Sequence, residues 1–178
     1  MVGHSMGGYV TLAFLKEFPD RLLAFSLFHS HPLPDSDETQ ENRRREINLV
    51  KEGKKEVIFN TNVPRAFADD NLLNFKKEIK SAKKIACKTS DRGIINTLKG
   101  MMLRPDSREL IQSTTLPFLW ILGMKDNYID PQKVSESVTL PENGTLVFLR
   151  KSGHMGFIEE KKRSLGIILD FIKVNQPN

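Results

Sequence analysis

The sequence predicts an α/β fold, a mostly parallel sheet with helices on its faces. Three observations carry this expectation. Short apolar runs of strand length alternate along the chain with segments of helical periodicity. The runs are nearly continuous in hydrophobicity, as suits strands covered on both faces. A charged, helix-forming span from about Asp35 to Thr115 separates two of them, which puts a helical insertion over the carboxyl ends of the strands, where such sheets bind ligands.

Each element has its own signals. Met1 to Gly8 carry a turn motif, and Met6 to Phe18 then reads as a helix with Tyr9, Val10, Ala13, Phe14 and Leu15 as apolar surface; Pro19 and Asp20 stop it. Leu22 to Phe28 is a strand-length run, with Pro32 and Pro34 marking the exit into loop. Within the insertion, Asn62 to Pro64 marks a break, and Leu72, Phe75, Ile79, Ala82 and Ala86 recur at helical spacing. Strand texture returns at Pro117 to Leu122. A helix then opens with Asp130 as N-cap and Pro131 at its first position. Thr145 to Leu149 is another strand, and an amphipathic helix near Phe157 to Val174 closes the chain with Leu165, Ile168, Leu169 and Ile172 on one face.

Composition excludes several classes. The 178 residues fit one domain, and 39 % hydrophobic with 28 % charged content is ordinary for a globular chain. The net charge of +5 owes much to Arg43, Arg44 and Arg45 and to Lys76, Lys77, Lys80, Lys83 and Lys84. The lysines fall largely on the outer face of an amphipathic helix without interleaved aromatics, so a solvated face is expected and no nucleic-acid partner. Lone Cys87 cannot form an intrachain disulfide, and beside Ile85 and Ala86 it reads as a small helix residue, not a reactive thiol. No apolar run approaches the roughly 20 residues that span a bilayer.

The chemistry concentrates at three places. Gly3-His4-Ser5-Met6-Gly7 fits a nucleophile elbow, a strained strand-to-helix turn in which flanking glycines make room and the serine oxygen is lifted into the open. The positive end of the following helix points at the reaction centre, and the Met6 N–H is placed to stabilise a developing oxyanion. A serine hydroxyl is a weak nucleophile that needs a base, and the base needs a third group to orient it. Downstream, Asp126 follows a strand and Gly123, and His154 follows the next strand and Gly153, so both loops open on the same sheet edge as the elbow.

Neighbouring residues carry other readings. His4 should turn away from the serine at so sharp a bend and pack. His29 and His31 lack a third ligand at metal spacing and read as pocket lining or loop packing, so no metal is assigned. Asp130 competes with Asp126 as the acid but is better explained as a cap. Phe67, Met101, Met102 and Leu103 are apolar residues in charged sequence, open to burial within the insertion or to lining a substrate channel.

Gly-His-Ser-Met-Gly-Gly at Gly3 to Gly8, strand-Gly-x-x-Asp ending in Asp126, and Gly-His at Gly153 and His154 together resemble the α/β-hydrolase family, through nearly the whole chain outside the insertion. The resemblance implies Ser5 as nucleophile, Asp126 as acid, His154 as base, and Met6 as one backbone donor of the oxyanion hole. Asp35 and Asp37 are the second position at which members carry the acid. The span 35–115 resembles the family's variable cap. The implied activity is hydrolysis of a small-molecule carboxylic ester or related acyl compound through an acyl-enzyme, without a cofactor. Lactone or carbon–carbon bond hydrolysis with the same three residues, and a non-enzymatic small-molecule binder or receptor, are the alternatives. The family has further strands upstream of its elbow and a second oxyanion donor there. The expectation is therefore one domain over 1–178 lacking its N-terminal strands, inactive and poorly soluble alone, with Leu22 to Phe28 as an exposed edge. A cytoplasmic location is expected.

Overall fold

The computed structural model describes residues 1–176. Four strands, β1 (Val2–His4), β2 (Phe25–Phe28), β3 (Phe118–Gly123) and β4 (Gly144–Leu149), form one parallel sheet in the order β1-β2-β3-β4. All four carboxyl ends therefore open on one edge. The register pairs His4 with Phe28, Phe28 with Ile121, and Ile121 with Val147.

Helices cover both faces. On one, α1 (Met6–Glu17) sets Leu12 and Leu15 against Phe25, Leu27, Phe118, Trp120 and Leu122. On the other, Phe28, Leu119, Ile121 and Leu149 meet α9 (Lys161–Val174) through Ile167, Ile168 and Phe171. Burial on both faces is why the strands read as continuous apolar runs. Trp120, fully buried, satisfies its indole by donating from Nε1 to the Ser30 carbonyl at 2.8 Å.

Five helices lie between β2 and β3: α2 (Asp37–Lys51), α3 (Lys55–Arg65), α4 (Lys76–Cys87), α5 (Asp91–Met102) and α6 (Arg108–Ser113). Ser36 caps α2 and Ser90 caps α5, each accepting from the backbone N–H three residues on. Ile111 of α6 is fully buried in the sheet's core. Asp35 closes the base of this region, accepting from Arg43 of α2 and from Arg104 beyond α5. Burial alone would raise its carboxyl, but the two guanidinium groups hold it below the usual carboxylate range. Along α4, Phe75, Ile79, Ala82 and Ala86 turn inward while Lys76, Lys77, Lys80 and Lys84 are exposed, and Cys87 ends the helix exposed.

Several expectations are corrected. Asn62 to Pro64 does not break the helix, since α3 runs through Pro64 to Arg65. β2 begins at Phe25, not Leu22, because Leu22 donates to the Pro19 carbonyl and closes a 3-10 turn at Pro19–Arg21. Nor is this segment an edge, since β2 pairs with β1 on one side and β3 on the other. The closing helix is two helices, α8 (Gly156–Glu159) and α9, broken at Glu160. Its buried face runs through Ile167, Ile168 and Phe171, leaving Leu165, Leu169 and Ile172 exposed. The apolar stripe was ambiguous because apolar residues occupy both sides of this helix.

Asp130 caps α7 (Pro131–Glu136), accepting from the Lys133 N–H at 3.0 Å. Asp130→Ala is expected to cost about 0.5–2 kcal/mol, read as a lower melting temperature. A variant that melts like the parent would show the cap to be dispensable.

Candidate active site

The site forms where the strands end. Ser5 follows β1 directly and has φ 52° and ψ −121°, a conformation costing roughly 1–3 kcal/mol for a residue with a Cβ. Its N–H donates to the Phe28 carbonyl at 3.0 Å, and its own carbonyl accepts from the Gly8 N–H at 2.9 Å. The turn is tight for definite reasons: a Cβ on Gly3 would lie 2.3 Å from the Gly7 carbonyl oxygen and Thr11 Oγ1, and one on Gly8 would lie 2.2 Å from Ser30 Oγ. Gly7 has open space instead, so crowding explains Gly3 and Gly8 but not both glycines that flank the serine. Met6 opens α1, and the first N–H groups of a helix have no intrahelical acceptor.

Ser5, Asp126 and His154 meet at this edge. His154 Nε2 lies 2.8 Å from Ser5 Oγ, and its Nδ1 lies 2.7 Å from Asp126 Oδ2. An ionised carboxylate only accepts, so Nδ1 carries the proton of that bond and Nε2 is the nitrogen that faces the serine hydroxyl. Asp126 is almost wholly buried, which alone would raise its carboxyl. Hydrogen bonds outweigh this, first from His154, and also from the Tyr128 and Ile129 N–H groups to Oδ1 at 2.8 and 3.1 Å, and hold the carboxyl well below the usual range. The loops are stitched together: Met124 N–H donates to the Leu149 carbonyl, and Lys125 N–H to that of Ser152.

The other candidates sit elsewhere. Asp35 is bound by two arginines, Asp37 begins α2 at the surface, and Asp130 is a cap. His4 turns from Ser5 and donates from Nε2 to the His154 carbonyl at 2.8 Å, its ring edge-on to Phe157. His31 packs edge-on to Tyr9, and the Arg104 guanidinium lies over the Tyr9 ring.

His29, expected as pocket lining or loop packing, packs inside the site against Phe28 and His154. It has φ 45° at the end of β2 and is fully buried, with Nδ1 3.6 Å from Asp126 Oδ2. That is beyond hydrogen-bond reach, and among the described residues neither ring nitrogen has a partner. Ser5 and His29 are the non-glycine residues with positive φ among those described, and both end a strand at this edge. A histidine just past a strand, in register with the elbow, was the available signal. Among the described residues no cluster of three His, Cys, Asp or Glu is arranged to hold a metal.

A cavity of about 450 Å³ opens beside α1, lined by Met6, Tyr9, Val10 and Ala13 and, across it, by Met101 and Leu103. Phe67 does not line it; it is fully buried and stacks on Phe75.

The family described as alpha/beta hydrolase fold matches residues 1–161. The chain belongs to the α/β-hydrolase family. Similar solved structures of this fold include a thermophilic esterase from Thermogutta terrifontis, at 27 % identity and a TM-score of 0.91 over 99 % of this chain. An esterase from Exiguobacterium antarcticum is 19 % identical with a TM-score of 0.82 over 97 % of this chain. The enol-lactonase from Burkholderia xenovorans LB400 is 18 % identical with a TM-score of 0.80 over 97 %. This α/β-hydrolase chain spans 65 % of the length of the two esterases and 64 % of the lactonase. No curated protein matches it in sequence. Among the described residues no helix is long and apolar enough to cross a membrane.

The half-buried imidazoles of His4 and His31 predict a pH dependence. Burial pushes His4 and His31 each down to about 4 from 6.5. Between those values the unfolded chain binds protons that the folded chain refuses, so their contribution is full above pH 6.5 and is lost as pH falls towards 4. Asp126, held low, adds its loss only below its ordinary 3.8. The melting temperature should therefore drop on acidification from neutral pH, and His31→Gln should flatten that slope. An unchanged slope in the variant would exclude His31 as a contributor.

Proposed function

We propose that the chain carries the catalytic groups of a serine hydrolase acting on a carboxylic ester or related acyl compound. The observation that supports this best is the relay from Asp126 Oδ2 through His154 to Ser5 Oγ, with heavy-atom separations of 2.7 and 2.8 Å. His154 Nε2 removes the hydroxyl proton as Ser5 Oγ bonds to the acyl carbon. The imidazolium, facing the ionised Asp126, then returns that proton to the departing alkoxide as the carbon–oxygen bond breaks. Water, deprotonated in turn by Nε2, attacks the acyl-enzyme and releases the acid with Ser5 restored. Met6 N–H donates to the oxyanion, one such donor being worth about 10²–10³ in rate. No step requires a cofactor.

Ser5→Ala and His154→Ala are expected to abolish turnover of a short p-nitrophenyl ester by the full-length protein while the fold survives. Asp126→Ala should lose somewhat less, as acid members of such triads do. A fluorophosphonate should label Ser5 covalently in the parent and not in either variant. Near-parental turnover in one of these variants would remove that residue from the scheme, and an unlabelled parent would favour a binding protein.

Residues 35–115 act in this reading as a cap, and the cavity beside α1 holds the acyl chain, because it begins at Met6 next to the nucleophile and its size suits a small ligand. Met101→Ala and Leu103→Ala should shift preference among acyl chain lengths while leaving the rate with a short probe nearly unchanged. Phe67→Ala should instead destabilise by about 3–5 kcal/mol, as an emptied core site does. Comparing kcat/KM across a chain-length series separates the two outcomes; uniform losses in Met101→Ala would place that residue with the packing.

A further inference from the structure

The loop that carries His154 is held by a carboxylate with no part in the proposed chemistry. Glu159, the last residue of α8, divides its two oxygens between two segments. Oε1 accepts from the Ala68 N–H and from Asn71 Nδ2, both at 2.8 Å. Oε2 accepts from the N–H groups of Gly153 at 2.9 Å and Met155 at 3.3 Å, the residues on either side of His154.

The first pair lies in the turn between α3 and α4. That turn is pressed against the histidine loop, for the His154 N–H donates to the Ala66 carbonyl at 2.8 Å and Asn71 Nδ2 also reaches the Lys151 carbonyl at 2.8 Å. The approach is so close that a Cβ on Gly153 would lie 2.5 Å from the Ala68 nitrogen. The same stretch of insertion also holds the acid loop: Asn127 Nδ2 donates to the carbonyls of Arg65 and Phe67, each at 3.2 Å, Arg65 returns a bond to the Asn127 carbonyl at 2.9 Å, and the Tyr128 hydroxyl donates to the Asn62 carbonyl at 2.7 Å. Residues 62–71 thus bond to both loops.

The geometry points to Glu159 as a positioning residue that locks this turn onto the histidine loop and so aims His154 Nε2 at Ser5. The inference rests on the reading of Ser5 and His154 as nucleophile and base. A carboxylate suits the task because all four of its partners are N–H donors, and such charge-assisted bonds are the strong ones. A glutamine offers one oxygen and one NH2, so whichever way it turns, one pair of N–H groups faces another donor. A displacement near 1 Å at a reacting group costs about 10² in rate.

Glu159→Gln is therefore expected to lower kcat for a short ester by roughly 10- to 100-fold with KM little changed, since Glu159 is not among the residues lining the cavity. Phosphonylation of Ser5 should slow in parallel, and the downfield NMR proton of the His154–Asp126 hydrogen bond should shift or broaden. Glu159→Asp, which keeps the charge, should recover part of the loss. Asp130→Ala serves as a variant lowered in melting temperature without a change in kcat. If Glu159→Gln does not melt cooperatively, Glu159→Asp carries the test, because it keeps the charge but shortens the reach to both segments; a fall in kcat at unchanged KM supports the inference and an unchanged kcat overturns it. A Glu159→Gln protein that melts lower yet keeps kcat, phosphonylation rate and the downfield resonance would make Glu159 a packing residue and overturn the inference. An unlabelled parent would fail the hydrolase reading by itself, and the resonance would still decide Glu159: displaced in the variant, it supports the role; unmoved, it refutes it.

Discussion

The donation from the Ser5 N–H to the Phe28 carbonyl at 3.0 Å is the constraint on which the geometry of the site rests. It carries the β1–β2 ladder one residue beyond the last strand pair, His4 with Phe28, and so holds Ser5 at positive φ while the chain turns into α1. A residue with a Cβ stays in that conformation only when its surroundings over-determine it. Here they do, through the close approach of Gly3 to the Gly7 carbonyl and of Gly8 to Ser30. The strain and the site are one feature, since a relaxed Ser5 would not hold its hydroxyl 2.8 Å from His154 Nε2.

The second requirement is electrostatic. Asp126 keeps its charge in a buried place because its oxygens are shared among an imidazole N–H and two backbone N–H groups. The rings around it, His4 and His29, are driven towards their neutral forms by burial. Asp126 is therefore a fixed negative charge set beside neutral rings. Of the three rings, His154 is the one within hydrogen-bond reach of the carboxylate.

The helices between β2 and β3 are tied to the same loops. Bonds from residues 62–71 reach the segment after β3 through Asn127 and Tyr128, and the segment after β4 through Asn71, Ala66 and Glu159. Asp35 with Arg43 and Arg104 closes the other end of the region. Movement of these helices over the sheet would therefore have to break bonds made by the loops that bear Asp126 and His154. The placement of these helices and the alignment of Asp126 and His154 are thus coupled through the backbone.

Much of this was legible in sequence where the signal is local. Alternating apolar runs and helical periods give the parallel sheet, Asp130-Pro131 gives a capped helix, and the order of the Gly-x-Ser-x-Gly turn, Asp126 and His154 along the chain puts a serine, an acid and a histidine at the ends of strands. These follow from periodicity and turn chemistry, which act over a few residues. Local signals misjudged the start of β2, where a turn made by Pro19 claims Leu22, and the inner face of α9, where apolar residues on both sides left the choice to the sheet. The meeting of Ser5, His154 and Asp126 within 2.8 Å, the burial of His29 beside the acid, and the division of Glu159 between two segments were decided by tertiary structure alone. Each depends on residues tens of positions apart being brought together by the stacking of the strands, and no pattern within a single segment encodes such a contact.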